Sequence, residues 1–179
     1  MWSVELQPLL MGMVVSVVMG IILTLPISSA AIAISLSLSG LAAGAATVGC
    51  CCQMIAFATM SFRENRWGGL LSQGLGTSML QMPNIVRNPK IWLPPIMASA
   101  VLGPLSTLAF QMSNIPSGAG MGTSGLVGQI GTIEAMGDSS QIWLMILLLH
   151  FILPALLTLL IAAVFRCKGW IKTGDLSLA

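Results

Sequence analysis

Charge is what this sequence has least of. Of its 179 residues, 7% are Asp, Glu, Lys or Arg, against about 25% in an ordinary soluble domain. Seven basic and five acidic side chains cannot cover the surface of a water-soluble globule of this length. With 56% hydrophobic residues and a mean hydropathy of +0.95, that scarcity excludes a soluble fold. It leaves an all-α, polytopic transmembrane bundle. Histidine occurs once, and no second His or carboxylate stands at helical ligand spacing from it, so no metal is expected. The patterns G-x-x-x-x-G-K-[ST], H-E-x-x-H and G-x-S-x-G are absent. Their absence removes the common ATPase, zinc-protease and hydrolase classes, and no cofactor is expected. The first apolar run is preceded by Glu5 and lacks a basic leader. It is therefore expected to stay in the membrane rather than act as a signal peptide.

What is present is a set of long uncharged runs. Leu9 to Leu25, Ala30 to Phe62, Ile91 to Met112 and Ile142 to Phe165 each approach or exceed the roughly 20 apolar residues of a spanning helix. The piece from Trp67 to Val86 is weaker, interrupted by glycines and amides. The pattern predicts four or five spans and two glycine-rich weak segments, with Ala30 to Phe62 long enough for a span plus a broken extension.

Basic residues fall in three clusters: Arg63 with Arg66, Arg87 with Lys90, and Arg166 with Lys168 and Lys172. The positive-inside rule places all three in the cytoplasm. The tail over 166–179 is then cytoplasmic, and the loop Ser113 to Gln141, which has no Lys or Arg, lies on the other side. The net charge of +2 records orientation and implies no nucleic-acid partner. Between Arg66 and Arg87 the chain must leave and return within about 20 residues, too few for two spans. Trp67 to Val86 is therefore a re-entrant hairpin or an interfacial helix.

A short phrase is repeated. Gly74 to Leu80 and Gly120 to Leu126 both read G-x-G-T-S-x-L, one in each weak segment, with the span Ile91 to Met112 between them. The first would enter from the basic side and the second from the opposite side, as in transporters whose substrate sits between opposed broken segments. Glycine permits tight turns and close backbone approach. Thr77, Ser78, Thr123, Ser124 and the Gln129 amide offer donors and acceptors of the kind that sugar hydroxyls need. Pro26 with Ile27 to Ala30 suggests an unwound link. Gly103-Pro104 and Pro154 suggest kinks, and Ser39 to Gly49 a close helix contact through small residues.

Individual residues carry competing readings. Glu134 is either an intramembrane acid with a binding role or an ordinary loop charge. Asp138 is a loop charge or a helix N-cap, with Ser139 and Ser140 as rivals. His150 either binds substrate or satisfies a neighbour inside the bundle. Cys50, Cys51 and Cys52 point about 100° apart on a helix and read as core packing. Phe62 to Trp67 is a topology anchor or a docking loop.

The stretches LTLPISSAAIAISL, GAATVGCCCQMIAF, SFRENRWGGLLSQGLGTSMLQMPNIVRNPKIWLPP and GAGMGTSGLVGQIGTIEAMG resemble the C-terminal half of EIIC-type sugar permeases of the phosphoenolpyruvate-dependent phosphotransferase system. Some members of that family are labelled toxin-regulator membrane proteins. The resemblance covers roughly Leu9 to Phe165. It implies a permease domain over residues 1–165 in a bacterial cytoplasmic membrane, a sugar or polyol substrate, and separate cytoplasmic phosphoryl-carrier (IIA/IIB-type) subunits. The phosphotransfer activity of such a system would then lie outside this chain, with no catalytic residue here. The resemblance also implies a domain about twice this length, and so association with an N-terminal half or with further copies. In such permeases a G-I-T-E-P-like loop supplies a sugar-binding glutamate. Gly131-Thr132-Ile133-Glu134 is similar, with Thr and Ile exchanged and Ala135 in place of proline. Together the residues and the resemblance nominate Gly122, Thr123, Ser124, Gln129, Glu134, Thr77, Ser78 and His150 as substrate-binding. A membrane-bound sensor or regulator that moves nothing is the competing reading, though no effector domain is visible. A channel lacks the acidic rings it would need.

Overall fold

The computed structural model describes residues 8–178, and Glu5 lies outside them. The described chain is helical, with a single isolated backbone bridge between Gly40 and Asn114. Helix α1 is Pro8–Thr24, α2 is Ser29–Ser35 and α3 is Gly40–Met60. α4 is Phe62–Leu71, α5 Met82–Arg87 and α6 Leu93–Leu108. After these come the one-turn α7, Pro116–Ala119, then α8, Val127–Met136, α9, Ser140–Ile146, and α10, Leu153–Cys167.

Among the described residues, three helical stretches are long and apolar enough to cross a membrane: Gly40–Met60, Pro89–Leu108 and Ser140–Cys167. The expected fourth span is shorter. Helix α1 has 17 residues, and its last residue, Thr24, hydrogen-bonds Gln53 at 3.3 Å. Gln53 is two turns before the end of α3, so α1 stops about 10 Å short of that end at 1.5 Å per residue. The chain then turns at Pro26 and runs back through α2, whose N-cap is Ser28. Proline cannot continue the helix and removes a donor, which is why an apolar run long enough to span ends in a turn.

Helix α3 is the axis of the bundle, packed by α1, α6 and α10 and buried from Ala43 to Met54. Small residues make this possible. A Cβ on Gly49 would overlap the Ser16 carbonyl of α1, and one on Gly44 the Met112 carbonyl. Gly12 and Gly103 bring α1 and α6 together in the same way, and the Ser16 hydroxyl donates to Ser99 O at 2.7 Å across that seam. Without a hydrophobic drive between helices in lipid, such backbone approach and hydrogen bonding supply the association. α6 runs unbroken through Pro104. Pro154 follows a π-helical turn over Leu147–Ile152, the usual accommodation of a helix to a missing donor.

Hydrogen bonds and ring contacts gather the basic clusters at one end. Arg166 donates to Met60 O at 2.8 Å, Asn88 to Trp170 O at 3.0 Å, and Lys90 and Lys168 both lie over the Trp170 ring. The stretch after α10 is tied down there. The Glu64 carboxylate accepts from the backbone of Gly174 and Leu176, and Asn65 pairs with Leu176 O and Leu178 N. A buried amide ladder, Ser61–Gln73–Gln81–Asn84, ends on the Leu176 and Ser177 carbonyls. Ile171 and Leu176 complete an apolar cluster with Phe57, Met60, Ile85 and Phe165. Phe62 to Trp67, the start of α4 where the sequence suggests a loop, thus clasps the chain's own C-terminal stretch.

Candidate functional site

Three breaks in the helices converge on the middle of α3. The first is the turn between α1 and α2. The second is the Gly74–Leu80 phrase, which rises from the basic end as α4, unwinds through a π turn at Ser72–Gly76, and returns through a 3-10 turn at Ser78–Gln81 into α5. The third is the Gly120–Leu126 phrase, carried between α7 and α8 from the opposite end.

Side-chain hydroxyls tie the three together. Thr123 donates to Gly74 O, and Ser124 donates to Gly76 O at 2.9 Å, so the second phrase grips the first through its matching Thr-Ser pair. Ser78 and Thr24 share a hydrogen bond of 2.9 Å, which links the first phrase to the end of α1. Ser29 donates to Gly120 O at 2.6 Å, which links α2 to the second phrase. Thr77 accepts from Met79 N and caps the 3-10 turn.

Glycine is required where the second phrase meets α3. Gly122 has φ +55°, and a Cβ there would press on the backbone of Cys50 and Cys51 at 2.8–2.9 Å. Gly120 meets the Ser29 carbonyl closely enough that no side chain fits. The tips remain open: Gly76, Gly125 and Leu126 are exposed.

Two buried polar clusters flank α3 at this depth. On one face Gln53 Oε1 accepts from Thr24 and from Trp92 Nε1, the latter at 3.0 Å, while Gln53 Nε2 has no partner. On the other, Gln129 Nε2 lies 3.1 Å from His150 Nδ1 and 3.6 Å from Cys51 Sγ. With the amide nitrogen as donor, His150 Nδ1 accepts, which corresponds to the tautomer protonated at Nε2. Gln129 Oε1 and His150 Nε2 are both buried and unpartnered. The pair therefore leaves one acceptor and one donor unpaired inside the bundle. Gln129 also lines a cleft of about 270 Å³ between α8 and the α9–α10 helix, walled by Leu126, Ile130, Ile133, Trp143, Ile146, Leu147 and Phe151.

The structure therefore brings Gly122, Thr123, Ser124, Gln129, Ser78 and His150 to one layer, with Thr77 at its edge. Glu134 stands apart. It is exposed on α8 one turn beyond Ile130, on the stripe facing away from α3. Asp138 does not cap α9. Ser139 does so through Ile142 N, and Asp138 accepts from Trp143 Nε1 at 2.6 Å. The three adjacent cysteines are buried and diverge, Cys50 toward Met19 and Ala119, Cys51 toward Gln129 and Cys52 toward Ala98 and Leu102.

Sequence reasoning missed Gln53, Thr24, Trp92 and Asn114. Gln53 had a readable signal as the one amide in the uncharged run Ala30 to Phe62. Asn114 had none, yet it clasps the second hairpin. Its amide donates to Thr47 Oγ1 at 2.6 Å, Gly128 O at 2.9 Å and Thr132 Oγ1 at 3.2 Å, and its Oδ1 accepts from Ile115 N.

Compared with known proteins, residues 1–178 match a family model described as phosphotransferase system, EIIC. No curated protein and no solved structure matches the chain.

Proposed function

Because this chain belongs to the phosphotransferase system EIIC family, a membrane component of that transport system, we propose that it binds a sugar or polyol and helps move it across a bacterial cytoplasmic membrane. The observation that carries this reading is the convergence of three broken segments at mid-depth, beside buried donor and acceptor groups that have no partner. Transporters place substrate at such junctions because unwound backbone and freed polar groups can be rearranged there at low cost. Gln129 Oε1 and His150 Nε2 would each take a substrate hydroxyl, and the Trp143 ring would form an apolar wall for the sugar ring. Thr77, Ser78, Thr123 and Ser124 would hold the two hairpin tips in register and lend acceptor lone pairs. The Gly122 turn allows the second tip to reach α3. Glu134 would act from the exposed, outward side of α8.

The basic end faces the cytoplasm in this reading, where the phosphoryl-carrier subunits dock. The chain would work as an oligomer or beside a complementary N-terminal half.

The test is a sugar and polyol panel scanned by thermal shift on the purified protein, alone and co-expressed with a candidate N-terminal half. A ligand at 100 times its Kd should stabilise the fold by about 2.7 kcal/mol. The shift should vanish in Gln129→Leu and His150→Ala, and it should weaken in Thr123→Ala and Glu134→Gln. A folded sample indifferent to the whole panel in both forms would reject transport and leave the membrane-bound sensor.

A further inference from the structure

A second cleft, of about 310 Å³, lies at the basic end, away from the convergence layer. It is lined by Thr59, Met60 and Arg63 on one side and by Leu159, Ala162, Arg166 and their neighbours on α10 on the other. Along α10 these are residues i, i+3 and i+7, one stripe running about 10 Å from inside the apolar span to its charged end. The deep end is apolar and the shallow end carries two guanidinium groups.

Neither guanidinium is neutralised. Arg166 spends one donor on Met60 O at 2.8 Å, which leaves most of its five N–H groups unspent. Arg63 is exposed and makes no hydrogen bond or ion pair among the described residues. The adjacent carboxylate, Glu64, is turned away and occupied by the Gly174 and Leu176 backbone. One cation held by a backbone carbonyl and a second free beside it, above an apolar cleft between membrane helices, match a phosphate headgroup with its acyl chain below. Basic pockets between membrane helices bind anionic headgroups for this reason. A soluble phosphate would satisfy the cations but leave the apolar wall of Met60, Leu159 and Ala162 without an occupant.

We propose that the cleft between the end of α3 and the end of α10 is a binding site for an anionic phospholipid, with Arg63 and Arg166 on its phosphate and the Leu159–Ala162 wall against its acyl chain. Occupancy would brace the junction where α10 meets α3 and the tied-down C-terminal stretch.

Delipidated full-length protein is titrated with phosphatidylglycerol or phosphatidylcholine of the same acyl chains, and bound lipid is counted by native mass spectrometry. Phosphatidylglycerol should be retained in preference. Each arginine should contribute about fivefold, the expectation for one basic side chain near an anionic lipid. Arg63→Gln should therefore cut retention about fivefold, and Arg63→Gln with Arg166→Gln should abolish the preference. Arg87→Gln, outside the cleft, should leave it intact. Because Arg166 also binds Met60 O, Arg63→Gln alone decides the matter if the double variant does not fold. Equal retention of the two lipids, or an equal loss in Arg87→Gln, would overturn the site. Displacement of phosphatidylglycerol by glycerol phosphate or inorganic phosphate at millimolar concentration would overturn the lipid assignment in favour of a soluble phosphate.

Discussion

Glycine at two positions shows how much a single atom decides. At Gly49 a Cβ would overlap the Ser16 carbonyl, a backbone atom that cannot rotate away. At Gly68, in α4, a Cβ would meet nothing within 4 Å. Gly49→Ala must separate α1 from α3, and overpacking of this kind costs about 1–3 kcal/mol. Gly68→Ala removes only the freedom of the unfolded chain and should be neutral or stabilising by about 0.5–1 kcal/mol. Thermal unfolding in detergent, followed by size-exclusion chromatography, should show a lowered Tm for Gly49→Ala and an unchanged or raised one for Gly68→Ala. The same sensitivity governs Asn114, whose one amide holds Thr47, Gly128 and Thr132 at once.

Among elements, the decisive relation is between the two hairpins. Each would leave unwound backbone at membrane depth, which is tolerated only when protein or a water-filled cavity surrounds it. The Gly74 and Gly76 carbonyls meet this condition by accepting from Thr123 and Ser124. The second hairpin therefore supplies donors that the first lacks, and the two should order together. A background with Cys167→Ser leaves Cys50, Cys51 and Cys52, all buried. In that background Gly76→Cys with Ser124→Cys should be joined by a short bifunctional maleimide. Gly76→Cys with Ser140→Cys, at the start of α9, should not. Equal yields from the two pairs would mean that the tips do not meet.

For the whole molecule the governing feature is polarity. All three basic clusters lie at the end where α3 and α10 terminate, and Asp138 and the Gly40–Asn114 bridge lie at the other. The chain carries its own reporter of that orientation, because Cys167 is exposed at the basic end while the other cysteines are buried. If the basic end is cytoplasmic, a membrane-impermeant maleimide should leave the native protein unlabelled in intact cells. It should label one site per chain after permeabilisation. Labelling in intact cells would invert the orientation and remove the proposed carrier docking from the basic end.

Membrane class, helical fold, the positions of the long runs and the separation of the basic clusters from the uncharged loop were all determined by the sequence alone. Each depends on summed hydropathy and charge, which act residue by residue whatever the chain packs against. The repeated G-x-G-T-S-x-L phrase was legible in the same way, as was the small-residue face of α3. Only the tertiary structure decided that α1 turns back level with Gln53, and that the hydroxyls of one phrase are donors to the carbonyls of the other. Only it could set Gln129 against His150, 21 positions away, and leave Glu134 on the outward stripe of α8. Those outcomes depend on which polar group finds a partner inside a low-dielectric bundle. That choice is made by three-dimensional proximity, and no local run of residues encodes it.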